Sequence, residues 1–302
     1  MAQAKANGIT IEYEMSGPAD APVLLMIHGV GAQLIRWPQA LIDRFHRAGF
    51  RTLRFDNRDI GLSTHMDSAP VPDIAAVVAA RRQGREPELA YTLSDLAADT
   101  TSLLDALNIA GAHVLGVSLG GMVAQVMAIE HRARVLSLNI FMSHSGNPDL
   151  PASQPEAMAI LSKRAPDPFA DREAFLAHQV ALNRALGSPG YPASEAELRT
   201  FAAQAADRAF YPLGPARQMA ATRGAGDRRP LLRQLSVPAL IVHGGDDPLF
   251  PPECGTDLAQ SIKGAWLLAA GGMGHDLPAE LFALFVCTVS ANCARANANV
   301  GQ

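Results

Sequence analysis

Ser118 stands in the run Gly116-Val117-Ser118-Leu119-Gly120, which an apolar segment enters and a helix-compatible one, GGMVAQVMAIE, leaves. A serine on a sharp strand-to-helix turn needs small neighbours, because the turn brings residues two positions either side into close approach. Gly116 and Gly120 meet that need. The chemistry on offer is nucleophilic attack: the turn lifts the hydroxyl off the sheet edge, and the helix N-terminus favours negative charge developing beside it. The plainer alternative is a glycine-rich turn whose serine only caps the helix. An apolar strand, then the turn, then a helix, in that order, favours the nucleophile.

A neutral hydroxyl is a poor nucleophile, so it needs a base, and the base needs a group that holds its tautomer. Asp246-Asp247-Pro248-Leu249 follows the apolar run PALIVHG, and Gly272-Met273-Gly274-His275-Asp276 follows the next one. Both segments lie just past a predicted strand, at the edge where Ser118 is expected. His275 is therefore the expected base and Asp247 the expected acid. Pro248 restricts residue 247 toward extended backbone, whereas Asp246 is free to cap the turn with its own side chain; a one-residue shift would still let Asp246 approach His275. An oxyanion needs two donors where its charge develops. Leu119 N–H is one candidate, and Val30 N–H, in the loop His28-Gly29-Val30-Gly31, is the other.

The remaining histidines have blander readings. His46, His113, His131 and His178 fall in or beside regular elements, and His28 and His243 precede glycines at strand ends, where they can orient loop backbone. His65 and His144 could face a cleft, but neither sits where the base belongs. With no HxxxH pair and no His/Cys cluster, neither a metal nor any other cofactor is expected.

The elements that must position these residues follow from apolar patterning. Asn7-Gly8 predicts a hairpin turn. Strands are expected at Val23–Ile27, Phe50–Phe55, Val114–Val117, Val135–Phe141, Pro238–His243 and Trp266–Ala269. Helices are expected at Pro38–His46, Ile74–Arg82, Leu93–Leu107, Leu119–Glu130, Glu253–Ile262 and Pro278–Val289. That alternation implies an α/β fold with a doubly wound, mostly parallel sheet. The proline-rich stretch 143–233 breaks the rhythm, with helices expected at Glu156–Lys163, Arg172–Leu186 and Glu195–Phe210, and reads as a helical cap inserted between core segments 1–142 and 234–290. Phe141, Met142, Phe169, Phe201, Phe210 and Tyr211 are the expected lining of the cleft beneath it. The small, polar end, 291–302, is expected to be disordered.

Five anchors, HGVG at 28–31, DNRDIGLS at 56–63, GVSLGG at 116–121, HGGDDPLFPP at 243–252 and GMGHDLP at 272–278, carry a resemblance to the α/β-hydrolase fold family. The pattern is most similar to its capped carboxylesterase branch, and within that to aclacinomycin methylesterase-like enzymes. The resemblance runs from about Ile9 to Val289. It implies the order serine, acid, histidine along the chain, with the acid at Asp247. It also implies carboxylic-ester hydrolysis, with hydrophobic small-molecule esters as the substrate class. Two departures stand out: many relatives have glycine where this chain has Asp59, although the methylesterase-like branch resembles it in having an acid there, and the stretch Thr64–Ala90 is longer than in compact relatives.

Composition narrows the partners. The 302 residues are 48% hydrophobic and 18% charged, and 25 Lys plus Arg against 29 Asp plus Glu give a net charge of −4. No basic stripe is available for a nucleic acid. No uninterrupted apolar run has membrane-spanning length, and the N-terminus does not resemble a signal peptide. Cys254, Cys287 and Cys293 form no CxxC pair, so a free-thiol cytoplasmic protein, monomer or homodimer, is expected. The rival functions are a non-catalytic ligand-binding or receptor-type member of the fold, and an amide, lactone or perhydrolase enzyme using the same three residues.

Overall fold

The computed structural model describes residues 1–298. Asn7 and Gly8, at φ 48° and 78°, turn the chain between β1 (Ala2–Ala6) and β2 (Ile9–Ser16), as the Asn-Gly pair predicts. There follow β3 (Val23–Ile27), α1 (Gln39–Arg47), β4 (Arg51–Phe55), α2 (Ile74–Arg82), α3 (Leu93–Ala106), β5 (Ala112–Val117), α4 (Leu119–Glu130) and β6 (Val135–Phe141). A helical insertion, the cap, comes next: α5 (Pro155–Leu161), α6 (Arg172–Leu186), α7 (Glu195–Arg208), α8 (Gly214–Gly224) and α9 (Arg229–Leu232). The core resumes with β7 (Ala239–Gly244), α10 (Pro252–Ser261), β8 (Trp266–Ala270) and α11 (Phe282–Ala298).

The eight strands form one sheet in the order β1-β2-β4-β3-β5-β6-β7-β8, antiparallel only where β2 meets β1 and β4. Side chains alternate across it. Leu25, Ile27, Val114, Leu138, Ile140 and Ile241 bury against α3, α4 and α10, whereas Leu24, Met26, Leu115, Leu240 and Val242 bury against α1 and α11. Strands covered on both faces read as continuous apolar runs, which is why β3, β5 and β7 are visible in the sequence.

Two expectations need correction. The C-terminal segment is helical through Ala298, because Asn292 and Cys293 are buried against β6 and the Asn292 amide donates to Asn139 Oδ1 (3.0 Å) and Leu138 O (3.2 Å). Arg295 stacks 4.3 Å over Trp266 and holds Gly264 O, so small polar composition here marks a docked helix. Residues 299–302 lie outside the described part. The same helix fills most of the window Ala279–Ala296, long and apolar enough to cross a membrane by length and composition, but Glu280 and Arg295 interrupt it and its Phe285 and Val289 stripe packs on the sheet. Second, α8 and α9 arise where no helix was expected; Pro215 and Pro230 occupy first-turn positions, where a missing N–H costs nothing.

Candidate active site

Ser118 closes β5 at φ 56°, ψ −117°, a conformation that ordinary side chains rarely adopt. The glycines around it have no room for a substituent. A methyl group on Gly116 would come within 2.2 Å of Gly120 O, and one on Gly120 within 2.0 Å of Ile27 O. The strand, the helix and the end of β3 thus meet at the serine, and Ser118 N–H is fixed to Phe141 O at 2.9 Å. The side chain is partly exposed at the C-terminal edge of the sheet.

The same edge carries Asp247 after β7, two strands along, and His275 after β8, three strands along. Asp247 Oδ2 lies 2.7 Å from His275 Nδ1, and its Oδ1 accepts the N–H groups of Leu249 and Phe250, each at 2.9 Å. Burial works against the charge on Asp247, but His275 and these hydrogen bonds outweigh it and hold the carboxyl below its usual range. Asp246 turns away and accepts Gly272 N–H at 2.7 Å. Of the two neighbouring acids, Asp247 is the one brought to the histidine.

Among the described residues Ser118 Oγ makes no hydrogen bond to His275. Both lie near the loop that follows β3. A Cβ on Gly29 would sit 3.2 Å from Ser118 Cβ, and the His28 ring is near enough to His275 to feel its charge. His28 Nδ1 accepts Gly29 N–H at 2.7 Å, and burial, with Arg36 and His275 nearby, lowers its pKa to about 3. His243 donates to the loop through Nε2, 2.8 Å from Phe250 O. Both therefore orient backbone, as expected from their position before glycines. His144 packs edge-on against Phe250, and His65 stacks on Tyr211; among the described residues neither bonds to Asp247 or His275.

Of the expected oxyanion donors, Leu119 N–H follows Ser118 at the start of α4 and Val30 N–H belongs to the β3 loop, whose Gly29 approaches Ser118; neither donates to another group among the described residues. Among the described residues no group of three His, Cys, Asp or Glu is placed to hold a metal ion.

The cap reaches this edge through residues that no motif marks. His275 N–H donates to Leu186 O (2.7 Å), Gly274 N–H to Ser188 Oγ (2.9 Å), and Ser188 Oγ bonds Asp276. Gln33 Nε2 donates to Ala205 O and Ala209 O, both at 2.8 Å, and Gln218 Oε1 accepts Gly31 N–H at 2.9 Å. Asp56 holds Leu34 N–H, Leu62 N–H and Arg208 together. The aromatic lining expected from sequence is not assembled here. Phe141 packs against Phe285 on the α11 side of the sheet, Met142 is in the same cluster, and Phe169 is 74% exposed. Phe210 packs on Phe175 inside the cap, Phe201 lies under Arg36, and Tyr211 bonds Arg217 and Asp67. The aromatic ring that does meet the pair is Phe250, 5.2 Å from His275 and edge-on.

Comparison with known proteins places this geometry. The model of the alpha/beta hydrolase fold matches residues 22–280. The chain belongs to the α/β-hydrolase fold family. Within the family it is similar to rhodomycin D methylesterase DauP of a Streptomyces species, 29% identical over 277 residues that cover 86% of this chain and 87% of the relative. Rhodomycin D methylesterase DnrP of Streptomyces peucetius is 29% identical over 290 residues, covering 87% and 88%. Both bear out the resemblance to methylesterases of this fold. Among solved structures, a meta-cleavage product hydrolase from Pseudomonas fluorescens superposes with a TM-score of 0.75 at 17% identity, covering 98% of each chain. The enol-lactonase from Burkholderia xenovorans superposes at 0.67 and 22% identity, covering 97% of this chain and 100% of that one. These neighbours share the fold, and the relatives support a hydrolase built on it.

Proposed function

We propose that this hydrolase cleaves carboxylic esters of hydrophobic small molecules through an acyl-enzyme on Ser118. One observation carries the reading: the Asp247–His275 hydrogen bond stands at the sheet edge that also presents a serine in a strained strand-to-helix turn. In this reading Asp247 keeps the proton on Nδ1, leaving Nε2 to accept. His275 takes the Ser118 proton as Oγ attacks the ester carbonyl, and Val30 and Leu119 N–H hold the oxyanion. The ring then protonates the leaving alcohol. Water, deprotonated by the same nitrogen, attacks the acyl group and releases the acid and free Ser118. The methylesterase relatives support the ester class, and the Phe250 edge beside His275 supports an apolar acyl or alcohol group.

Labelling with a fluorophosphonate, followed by turnover of p-nitrophenyl esters, tests the proposal. Labelling of Ser118 together with steady turnover is the expected result. Labelling without turnover favours a ligand-binding member of the fold, and faster turnover of free-amino-terminal peptides than of esters overturns the substrate class.

A further inference from the structure

Gly29 to Ala32 form a tight turn after β3. Ala32 N–H donates to Gly29 O at 3.3 Å, and Gly31, in the third position, has φ 71°. In a trans peptide the N–H and C=O of one plane point in opposite directions. With Gly29 O engaged inside the turn, Val30 N–H faces out of it. The preceding plane is pinned from the core, through Gly29 N–H and His28 Nδ1 at 2.7 Å. The following plane is pinned from the cap, through Gly31 N–H and Gln218 Oε1 at 2.9 Å.

Gln218 is wholly buried on α8, and its Nε2 donates to Arg58 O at 3.2 Å, which fixes which end of the amide meets Gly31. Three residues earlier, Pro215 Cγ lies 3.3 Å from the position a Gly31 Cβ would take, so the start of α8 rests directly on the turn. Farther along the loop Gln33 is also bonded to the cap, at the end of α7. The β3 loop therefore takes its shape from both halves of the molecule.

We infer that Gln218 is a positioning residue that aims Val30 N–H at the oxyanion; the inference rests on the ester-hydrolase reading above. The side chain touches no substrate. It fixes the Val30–Gly31 peptide and hence the backbone rotation that sets the Val30 N–H direction. Seating of the cap and competence of the oxyanion site become one event, and a misplacement of about 1 Å in such a group is enough to cost catalysis heavily.

The test compares Gln218→Met, which keeps the shape but accepts no hydrogen bond, with Gln218→Glu, which keeps an acceptor. Each is assayed on a p-nitrophenyl ester and with a trifluoromethyl ketone of matching acyl chain, whose carbonyl adds Ser118 Oγ to give a tetrahedral oxyanion. For Gln218→Met the expected result is a kcat lowered about tenfold or more, a KM within about twofold, and ketone binding weakened in step with kcat. Gln218→Glu should recover most of that loss at a pH low enough to protonate its carboxyl, whose O–H then donates to Arg58 O as the amide does. A folded Gln218→Met with wild-type kcat and ketone affinity overturns the assignment, as does a fall in thermal stability with kcat untouched. If Gln218→Met does not fold, Gln218→Asn, polar but one carbon too short to reach Gly31, takes its place under the same criteria. A wild-type protein that neither labels with fluorophosphonate nor turns over esters instead brings down the ester reading, and this assignment with it.

Discussion

Asp247 and Asp246 are neighbours in sequence with opposite bonding: the first lies 2.7 Å from His275 Nδ1, the second 2.7 Å from Gly272 N. Pro248 and the two N–H groups of Leu249 and Phe250 leave the Asp247 carboxylate a single orientation. Replacing Asp247 with Asn should lower kcat by about 10⁴ with near-normal folding, because the imidazole tautomer is no longer held. Asp246→Asn should cost less than tenfold and act mainly on the stability of the Gly272 turn. Steady-state kinetics of the two variants decide the assignment, and the reverse ranking would mean that the acid is Asp246.

The strained backbone at Ser118 separates two variants that chemistry alone would equate. Both Ser118→Ala and Ser118→Gly should lose about 10⁴-fold or more in kcat, since the proposed mechanism makes Ser118, His275 and Asp247 one unit. Alanine retains the penalty of φ 56°, whereas glycine adopts it freely. Ser118→Gly should therefore be more stable than Ser118→Ala by about 1 kcal/mol or more, measured by urea unfolding. Equal stabilities would mean that the turn stores no strain.

Acid stability should depend on His28. Burial, Arg36 and His275 lower its folded pKa to about 3, while the unfolded chain titrates near the ordinary histidine value of about 6.5. Between those pH values the unfolded state binds the extra proton, so stability falls as pH drops from about 6.5, by about 1.4 kcal/mol per pH unit from this group. Asn at position 28 can still accept Gly29 N–H but does not titrate. His28→Asn should flatten the decline of unfolding free energy between pH 6.5 and about 4 by close to one proton. Parallel wild-type and variant curves would show that His28 is not the group responsible.

Much of the frame is legible because the chain buries β3, β5 and β7 on both faces, and such strands are continuous apolar runs. The ends of β5 and β7 locate Ser118 and Asp247, and the shorter apolar run of β8 locates His275, since strand termini in a parallel sheet share an edge. What the sequence hides is the tertiary context. Phe141 and Ser118 are neighbours across β5 and β6, yet the strand's alternation turns the Phe141 ring toward α11. Helix α8 is obscured by Gly214 and Pro215, residues that end helices in the middle but begin them well. Asn292 looks like part of a polar tail until β6 supplies its hydrogen-bond partners. Gln218 acts on Gly31 across 187 residues of chain, and no local pattern announces a contact of that range.

Asp59 is the buried carboxylate of the loop beneath the cap. It sits at φ 68° and is fully buried, with Met66 N–H at 2.6 Å on Oδ1 and Arg217 Nη1 at 3.3 Å from both oxygens. Arg217 is equally enclosed, but its other nitrogens donate to Ala69 O (2.7 Å) and Pro70 O (3.3 Å), and Nη1 also meets Tyr211 Oη. The two partners are therefore unequal. The guanidinium keeps several acceptors if Asp59 is neutralised, whereas the carboxylate without Arg217 is a buried charge with no counterion. Arg217→Met should cost about 3–5 kcal/mol. Asp59→Asn, a residue that tolerates positive φ, should cost distinctly less. The double variant should be more stable than Arg217→Met alone, because it removes the stranded charge along with the pair. Urea unfolding of the four proteins gives the cycle, and additive losses would show that the two groups do not act as a pair.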